Sequence, residues 1–402
     1  MRSVRLALAA PASLAVLALA AAPLARAAEE DPLARDTVRV KEVPGPLAAD
    51  PAAPFWSGAP PLEVTLSPQR TIRLHDREAN AALQRPGPRA VRVRAASDGK
   101  ELAVLLEWGD GTEDRARPDA TDVFGDAAAL QLPLRFGAGL RLPYVGMGDD
   151  ELKVAIHLLR AAAGETTVRE GVASGFGTLA RADVGGAKAA MTYDRAAALW
   201  RAVLVRPLAA GGLDLRRGLV PFAVAIWDGA RGERGGNKSL SAWKLLRLPG
   251  LPVDAAYAAE LAWGRRPGDL GDPARGKALV SGMCVACHAV GALRVARPGL
   301  APDLSAIGAF ASPAYLRQSI VEPSAVIVPG QSTAQHQSRA KHPGVTGPYP
   351  ASDAYAWFAR DPAGKKVSRM PPYAGMPPAD VLAMVAYLAT LGAAEGGAGG
   401  RP

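Results

Sequence analysis

Apolar residues come in short bursts over the first part of the chain. Ala90–Val93, Leu102–Trp108, Ala127–Leu132, Val154–Leu159, Arg201–Val205 and Leu219–Trp227 are each the length of a strand. Turn-forming strings separate them: Ser97-Asp98-Gly99, Gly109-Asp110-Gly111 and Asp228-Gly229. This punctuation predicts an all-β sandwich over residues 41–248 with minor helices, the alanine-rich piece Ala187–Ala190 being one place for a helix. Residues 28–40 are charged and expected to be mobile. Residues 249–270 read as a linker, opened by Pro249 and Pro252 and closed by Arg265-Arg266-Pro267-Gly268, with Ala255–Trp263 forming a helical turn or two.

The period changes to that of a helix at Asp272. Asp272 and Pro273 suit the cap and first position of a helix over Ala274–Gly282. Ser312-Pro313 starts a second helix ending near Val321. Pro378-Ala379-Asp380 starts a third over Val381–Leu391, with apolar Val381, Leu382, Val385, Leu388 and Leu391. Residues 271–392 are therefore expected to be an all-α domain. The Gly-rich residues 393–402 form a tail. The fold class is mixed and two-domain, β-sandwich first and helices second.

The chain has 402 residues, enough for two to three domains. Its start has the layout of a secretory signal: Arg2 and Arg5, an apolar stretch from Leu6 to Leu24, and a small-x-small site at Ala25-Arg26-Ala27. Residues 1–27 are read as a signal peptide rather than an anchor, because Pro11 and Pro23 interrupt the run. The product is expected in a periplasm. Basic side chains number 47 and acidic ones 38. Loss of Arg2, Arg5 and Arg26 leaves a surplus of six, which reads as an Arg-rich surface. No basic run interleaved with aromatics points to nucleic acid.

One string carries specific chemistry: Cys284-Val285-Ala286-Cys287-His288. This C-x-x-C-H spacing attaches a c-type haem through two thioether bonds and places the imidazole under the iron. Cys284 and Cys287 are the only cysteines, so no disulfide framework competes for them. A zinc site would need two more ligands at a familiar spacing. A dithiol of the thioredoxin type would follow a strand rather than a helix.

The stretch from Asp272 to Leu391 resembles class I cytochromes c. The resemblance rests on a Gly-containing first helix, Cys284–His288, Pro302-Asp303-Leu304, Tyr315–Pro323, Met370-Pro371-Pro372 and a last helix with Ala386-Tyr387-Leu388. It implies one low-spin haem with His288 as proximal ligand, and a carbonyl near Pro302 can orient the other ring N–H, which makes Pro302 a candidate second partner of the imidazole. A methionine thioether would be the sixth ligand. Met370 sits in the loop several residues before the last helix, as the family's ligand does. Met376-Pro377-Pro378 repeats the motif, and Met376 remains the competitor. The interval between His288 and Met370 is long, with the excess around residues 331–363. Its His336 and His342 are expected to be loop residues.

The earlier region is similar to the haem-binding domain of the ethylbenzene dehydrogenase γ-subunit family. The strings that carry this are Pro54-Phe55-Trp56, Glu107–Asp110, Tyr144–Asp149, Ala225–Gly229, Gly235–Ser239 and Ser241-Ala242-Trp243. Relatives are haem subunits of exported molybdenum enzymes, dimethylsulfide dehydrogenase and selenate and chlorate reductases among them. The resemblance implies a non-covalent haem b held by a methionine and a lysine, matched by Met147 and Lys238. Gly146 and Gly148 would let the backbone approach a flat macrocycle, and Gly235 and Gly236 would leave the Lys238 loop unencumbered. His157 is expected to neighbour that haem without binding its iron.

The expected function is a two-haem electron relay and not a catalytic subunit. Its expected partners are the catalytic and iron–sulfur subunits of a molybdopterin oxidoreductase on one side, and a cytochrome or quinol pool on the other. The alternative is a one-haem cytochrome tethered to a haem-free, partner- or ligand-binding sandwich.

Overall fold

The computed structural model describes residues 31–69, 89–117, 119–120, 123–175, 178–266, 268–293, 301–327 and 358–392. The signal-peptide reading of residues 1–27, His336, His342 and the tail 393–402 lie outside them. From Pro32 onward the chain clusters as one compact unit. It contains a β-sandwich followed by a helical domain.

The apolar bursts all form strands. Those that build the sandwich are β1 (Leu62–Pro68), β2 (Arg89–Ser97), β3 (Glu101–Gly109), β4 (Ala127–Pro133), β5 (Val154–Ala162), β6 (Glu165–Ala173), β7 (Lys188–Asp194), β8 (Leu199–Pro207), β9 (Leu219–Trp227) and β10 (Ser239–Leu240). They belong to a 14-stranded sheet among the described residues, with the path β7-β8-β3-β2-β1-β10-β9-β4-β5-β6. β10 is two residues long and pairs with β1 on one side and β9 on the other. The halves on either side of this junction fold over a shared core that includes Val64, Leu66, Val93, Leu106, Leu130, Phe222 and Ile226. Each such side chain removed from water contributes about 1.5–3 kcal/mol.

The outer faces are covered too. Leu47, Ala53, Trp56 and Ala59 cover one half, against Ala103, Leu105 and Val203. On the other half, Ala127, Ala129, Ala223, Ala225, Val145 and Trp243 share a second cluster. β9 is consequently buried at every position. Strands buried on both faces lose the in–out alternation of a half-exposed sheet and read as continuous apolar runs. Ala187–Ala190 is not helical. Lys188–Asp194 pairs antiparallel with Leu199–Val205, and the ladder overrides the helical preference of its alanines.

The linker holds α1 (Ala255–Ala262), whose Tyr257 packs 6.5 Å from the Phe136 ring. The helical domain is built from α2 (Pro273–Met283), α3 (Pro313–Val321) and α4 (Pro378–Thr390). Asp272 caps α2 by accepting from Ala274 and Arg275 N–H groups, and the Ser312 hydroxyl accepts from Tyr315 N at 3.2 Å. Val280, Leu316, Ile320, Val381, Val385 and Leu388 face one another in its core. One departure from an all-α domain is a hairpin of β11 (Phe358–Arg360) and β12 (Lys366–Ser368) just before Met370.

Candidate functional site

The first site is built at the end of α2. The chain leaves that helix through a single tight turn, with Cys287 N and His288 N both donating to Cys284 O at 3.1 and 2.9 Å. This turn fixes the spacing of the two thiols and the imidazole. Cys284 and Cys287 are half-buried and form no disulfide. Burial pushes the Cys284 thiol up to about 11, with Cys287 beside it adding to the rise. His288 is buried, and burial holds its ring below the usual value. Its Nδ1 lies 2.8 Å from Pro302 O. A ring whose Nδ1–H donates to a carbonyl presents a neutral Nε2 lone pair, as a metal ligand must. These residues fit a covalently bound haem.

The loop before α4 approaches the same turn. Tyr373 N donates to Ile320 O at 3.1 Å. The Tyr373 hydroxyl is raised by burial and by the nearby Cys284 and Cys287 thiols. Met376 packs in the cluster that also holds Met283, Cys284 and Leu304. Met370 is half-buried and follows β12, with its N–H on Ser368 Oγ at 3.1 Å.

The second site lies on the outer face of β4 and β9. Ala129 and Ala225 are directly opposite in register, and Ala127 opposes Trp227. With Ala223 they make a floor of small side chains in the second cluster. Residues 141–152 arch over it. Gln131 Nε2 donates to Val145 O at 2.8 Å and Trp243 Nε1 to Pro143 O at 2.9 Å, so both tie this arch to the sheet. Asp149 organises the arch by accepting two 2.8 Å bonds from Arg141 and one from Tyr144 N at 2.9 Å. Burial works to raise the Asp149 carboxyl, but the Arg141 guanidinium and these N–H groups hold it below the usual range.

The arch places Met147 against the cluster of Trp227, Trp243 and Leu240. Met147 takes φ +76°, a left-handed conformation that costs a non-glycine residue about 1–3 kcal/mol. Strain of this kind persists where the surroundings dictate it, here the Asp149 network. A Cβ on Gly148 would meet Leu152 O at 2.9 Å and Ala173 O at 3.0 Å, so the glycine allows the arch to close on β6.

Lys238 reaches the same face from the residue before β10. Its ammonium lies 5.1 Å from the Trp227 ring centroid and is 6% exposed as a residue. Burial lowers it to about 8. Among the described residues it has no hydrogen bond or ion pair. A buried amine with no partner, a thioether and a flat alanine floor form a donor set that fits a second haem. The alternation that makes this floor was not drawn from the sequence, because small residues at every second position mean little until the strands are in register.

His157 is placed elsewhere. It pairs with Leu130 on the face of the inner core. Its Nδ1 is 2.8 Å from Glu170 and its Nε2 3.3 Å from buried Arg206. Burial and the Arg206 charge depress it to about 3. The period of two along β5 sends it away from Met147, correcting its expected place beside the haem.

The two domains touch next to the second site. Phe310 packs on the Met147 cluster, and the Tyr144 and Tyr315 rings are 6.1 Å apart. A cleft of about 520 Å³ opens there, lined by Leu142, Tyr144, Trp243, Phe310 and Tyr315 among others.

A β-sandwich followed by a helical domain with a C-x-x-C-H turn defines an electron-transfer haem protein with a cytochrome c domain. The cytochrome c family model matches residues 273–392, and the ethylbenzene dehydrogenase model residues 53–198. The chlorate reductase subunit gamma of Ideonella dechloratans is 33% identical over 240 residues, covering 58% of this chain and 94% of the relative. A candidate respiratory nitrate reductase heme subunit of Haloferax mediterranei is 29% identical over 226 residues, covering 54% and 73%. Among solved structures, a family 9 carbohydrate binding module from Caldicellulosiruptor kristjanssonii, in complex with glucose, aligns with a TM-score of 0.31 at 9% identity. It covers 54% of this chain and 98% of that one. The chain belongs to the ethylbenzene dehydrogenase-type haem-subunit family, with a cytochrome c domain fused behind the sandwich.

Proposed function

We propose that the chain is an exported two-haem electron relay. Its sandwich holds haem b between Met147 and Lys238. Its cytochrome c domain holds haem c through Cys284 and Cys287, with His288 and Met370 on the iron and Pro302 fixing the imidazole. Lys238 is the observation that carries the two-haem reading: it is an amine without a partner among the described residues, buried beside the cluster that Met147 packs against. Burial favours the neutral amine, the only form with a lone pair to give. Each haem supplies a one-electron ferric/ferrous couple. The protein would give each iron two side-chain ligands, exclude water with Trp227, Trp243 and Phe310, and keep the two sites within one compact unit.

The chlorate and nitrate reductase relatives support a place beside a molybdopterin oxidoreductase. The sandwich haem would exchange electrons with the iron–sulfur subunit that serves the catalytic subunit. The cytochrome c domain would exchange with a soluble or membrane cytochrome. Residues 1–27 support export to the periplasm. Among the described residues, no helix is long and apolar enough to cross a membrane.

A pyridine haemochrome spectrum of the purified protein tests the reading, with equal b and c content expected. Met147→Leu and Lys238→Leu should each remove the b signal and spare the c signal. A wild-type protein holding haem c alone defeats the b assignment. Met370→Leu should abolish the thioether-to-iron charge-transfer band while Met376→Leu keeps it; the reverse result reassigns the ligand.

A further inference from the structure

Gln69 is 2% exposed, and among the described residues neither its amide oxygen nor its amide nitrogen has a hydrogen-bond partner. Leaving a buried polar group unpaired is unfavourable, so such a residue needs a reason. Its position supplies one. Pro68 pairs with Ser239 and Ser67 with Leu240, and the next step of that register sets Gln69 opposite Lys238. Gln69 N donates to Lys238 O at 2.9 Å, which extends the ladder by one residue. Residues opposite each other across a ladder share a face, with Cβ atoms about 4.5–5.5 Å apart. That face is the one Lys238 occupies over Trp227. The Ser239 hydroxyl is also buried and unpaired, but it lies opposite Ile226 and so faces the inner core.

A neutral amine that gives its lone pair to a metal keeps two N–H groups, and in a buried site these need acceptors. The Trp227 ring beside the amine and the Ala225 and Leu240 side chains of the same cluster offer none. We propose that Gln69 is a positioning residue for the Lys238 ligand, its amide oxygen accepting an N–H of the amine and so aiming the lone pair at the haem b iron. This rests on the two-haem reading. A second partner of this kind orients its ligand and makes it a stronger electron donor. Stronger donation favours ferric iron and lowers the reduction potential. The effect is confined to haem b, because Gln69 and Lys238 are both in the sandwich.

The test is a redox titration of the full-chain holoprotein, following the b and c absorption bands separately. Gln69→Met keeps the side-chain length and removes the acceptor. It should raise the haem b potential by about 59 mV, a tenfold change in ferric-over-ferrous preference for one electron, and leave haem c unmoved. Gln69→Glu keeps an acceptor and adds charge, so it should move the haem b potential downward. Opposite shifts at one haem are not expected from loosened packing. Unchanged haem b potentials in both variants, with the wild-type b signal present, overturn the role of Gln69 and leave the two-haem reading standing. If Gln69→Met loses haem b altogether, Gln69→Glu decides: a lowered potential supports the proposal, and an unchanged or raised one overturns it. A wild-type protein without haem b removes both the reading and this inference.

Discussion

Asp126 is fully buried, and three N–H groups converge on its carboxyl: Trp200 Nε1, Asp114 N and Gly229 N, each at 2.8 Å. Asp110 and Asp228 place their carboxylates within 4.8 Å of it and of each other. Burial, with the Asp110 charge adding to it, pushes the Asp126 carboxyl up to about 7 despite the three donors. The folded chain therefore keeps this proton through a range where the unfolded chain, with its carboxyl at the ordinary value near 3.8, has released it. Stability from the protonated form is present below about pH 4 and is lost as the pH rises towards 7. Asp126→Asn cannot take part in that loss, although its NH₂ faces one of the N–H donors. The variant should melt below the wild type near pH 5, with the gap narrowing by pH 8. A gap in melting temperature that ignores pH would show that Asp126 does not titrate in this range. The same attention to single side chains separates Lys238 from the other buried lysine: Lys244 pairs with Asp36, whereas Lys238 has no such partner among the described residues.

At the scale of elements, α2 and α4 approach so closely that Gly276 has no alternative. A Cβ there would meet Ala383 O at 1.9 Å, and that atom is backbone. Gly276→Ala should destabilise the cytochrome c domain by about 1–3 kcal/mol through overpacking. At about 4 °C per kcal/mol for a domain of this size, the loss should be plain in a melt followed at the haem c band. A variant that melts with the wild type would mean that the helices are less tightly packed. The sequence made much of this level legible. The six apolar runs became strands, and Asp272 and Ser312 became caps, because these signals are local. What stayed hidden depends on partners distant in sequence. β6 carries few apolar residues and alternates exposed with half-buried positions for most of its length, so it has no burst to find. β7 has two alanines among its seven residues and becomes a strand through its pairing with β8. The C-x-x-C-H turn and the Met147 and Lys238 strings were visible as motifs. Gln69 was not, because its meaning arises only when β1 and β10 come together.

For the molecule as a whole, the question is whether sandwich and cytochrome c domain behave as one body. Phe310 belongs to the helical half, yet it packs against the sandwich cluster that includes Trp227 and Trp243 and that Met147 also packs against. Tyr144, three residues from Met147, contacts Tyr315 of α3, and Lys366 of β12 lies 2.8 Å from Asp150, three residues beyond Met147. The exposed ion pair contributes little, about 0–1 kcal/mol. The aromatic contacts carry more, about 0.5–1.5 kcal/mol beyond their burial for a ring pair. The Tyr144 and Asp150 contacts fall on the arch that positions Met147, so the cytochrome c domain would form part of the wall of the proposed haem b site. Its loosening should therefore be felt at haem b before haem c. Phe310→Ala should split a single calorimetric unfolding transition into two and speed the loss of haem b to a haem scavenger, while covalent haem c stays in place. Two separate transitions in the wild type, or an unchanged single transition and unchanged haem b retention in Phe310→Ala, would mean that the domains are only tethered. In that case each site would be complete within its own domain.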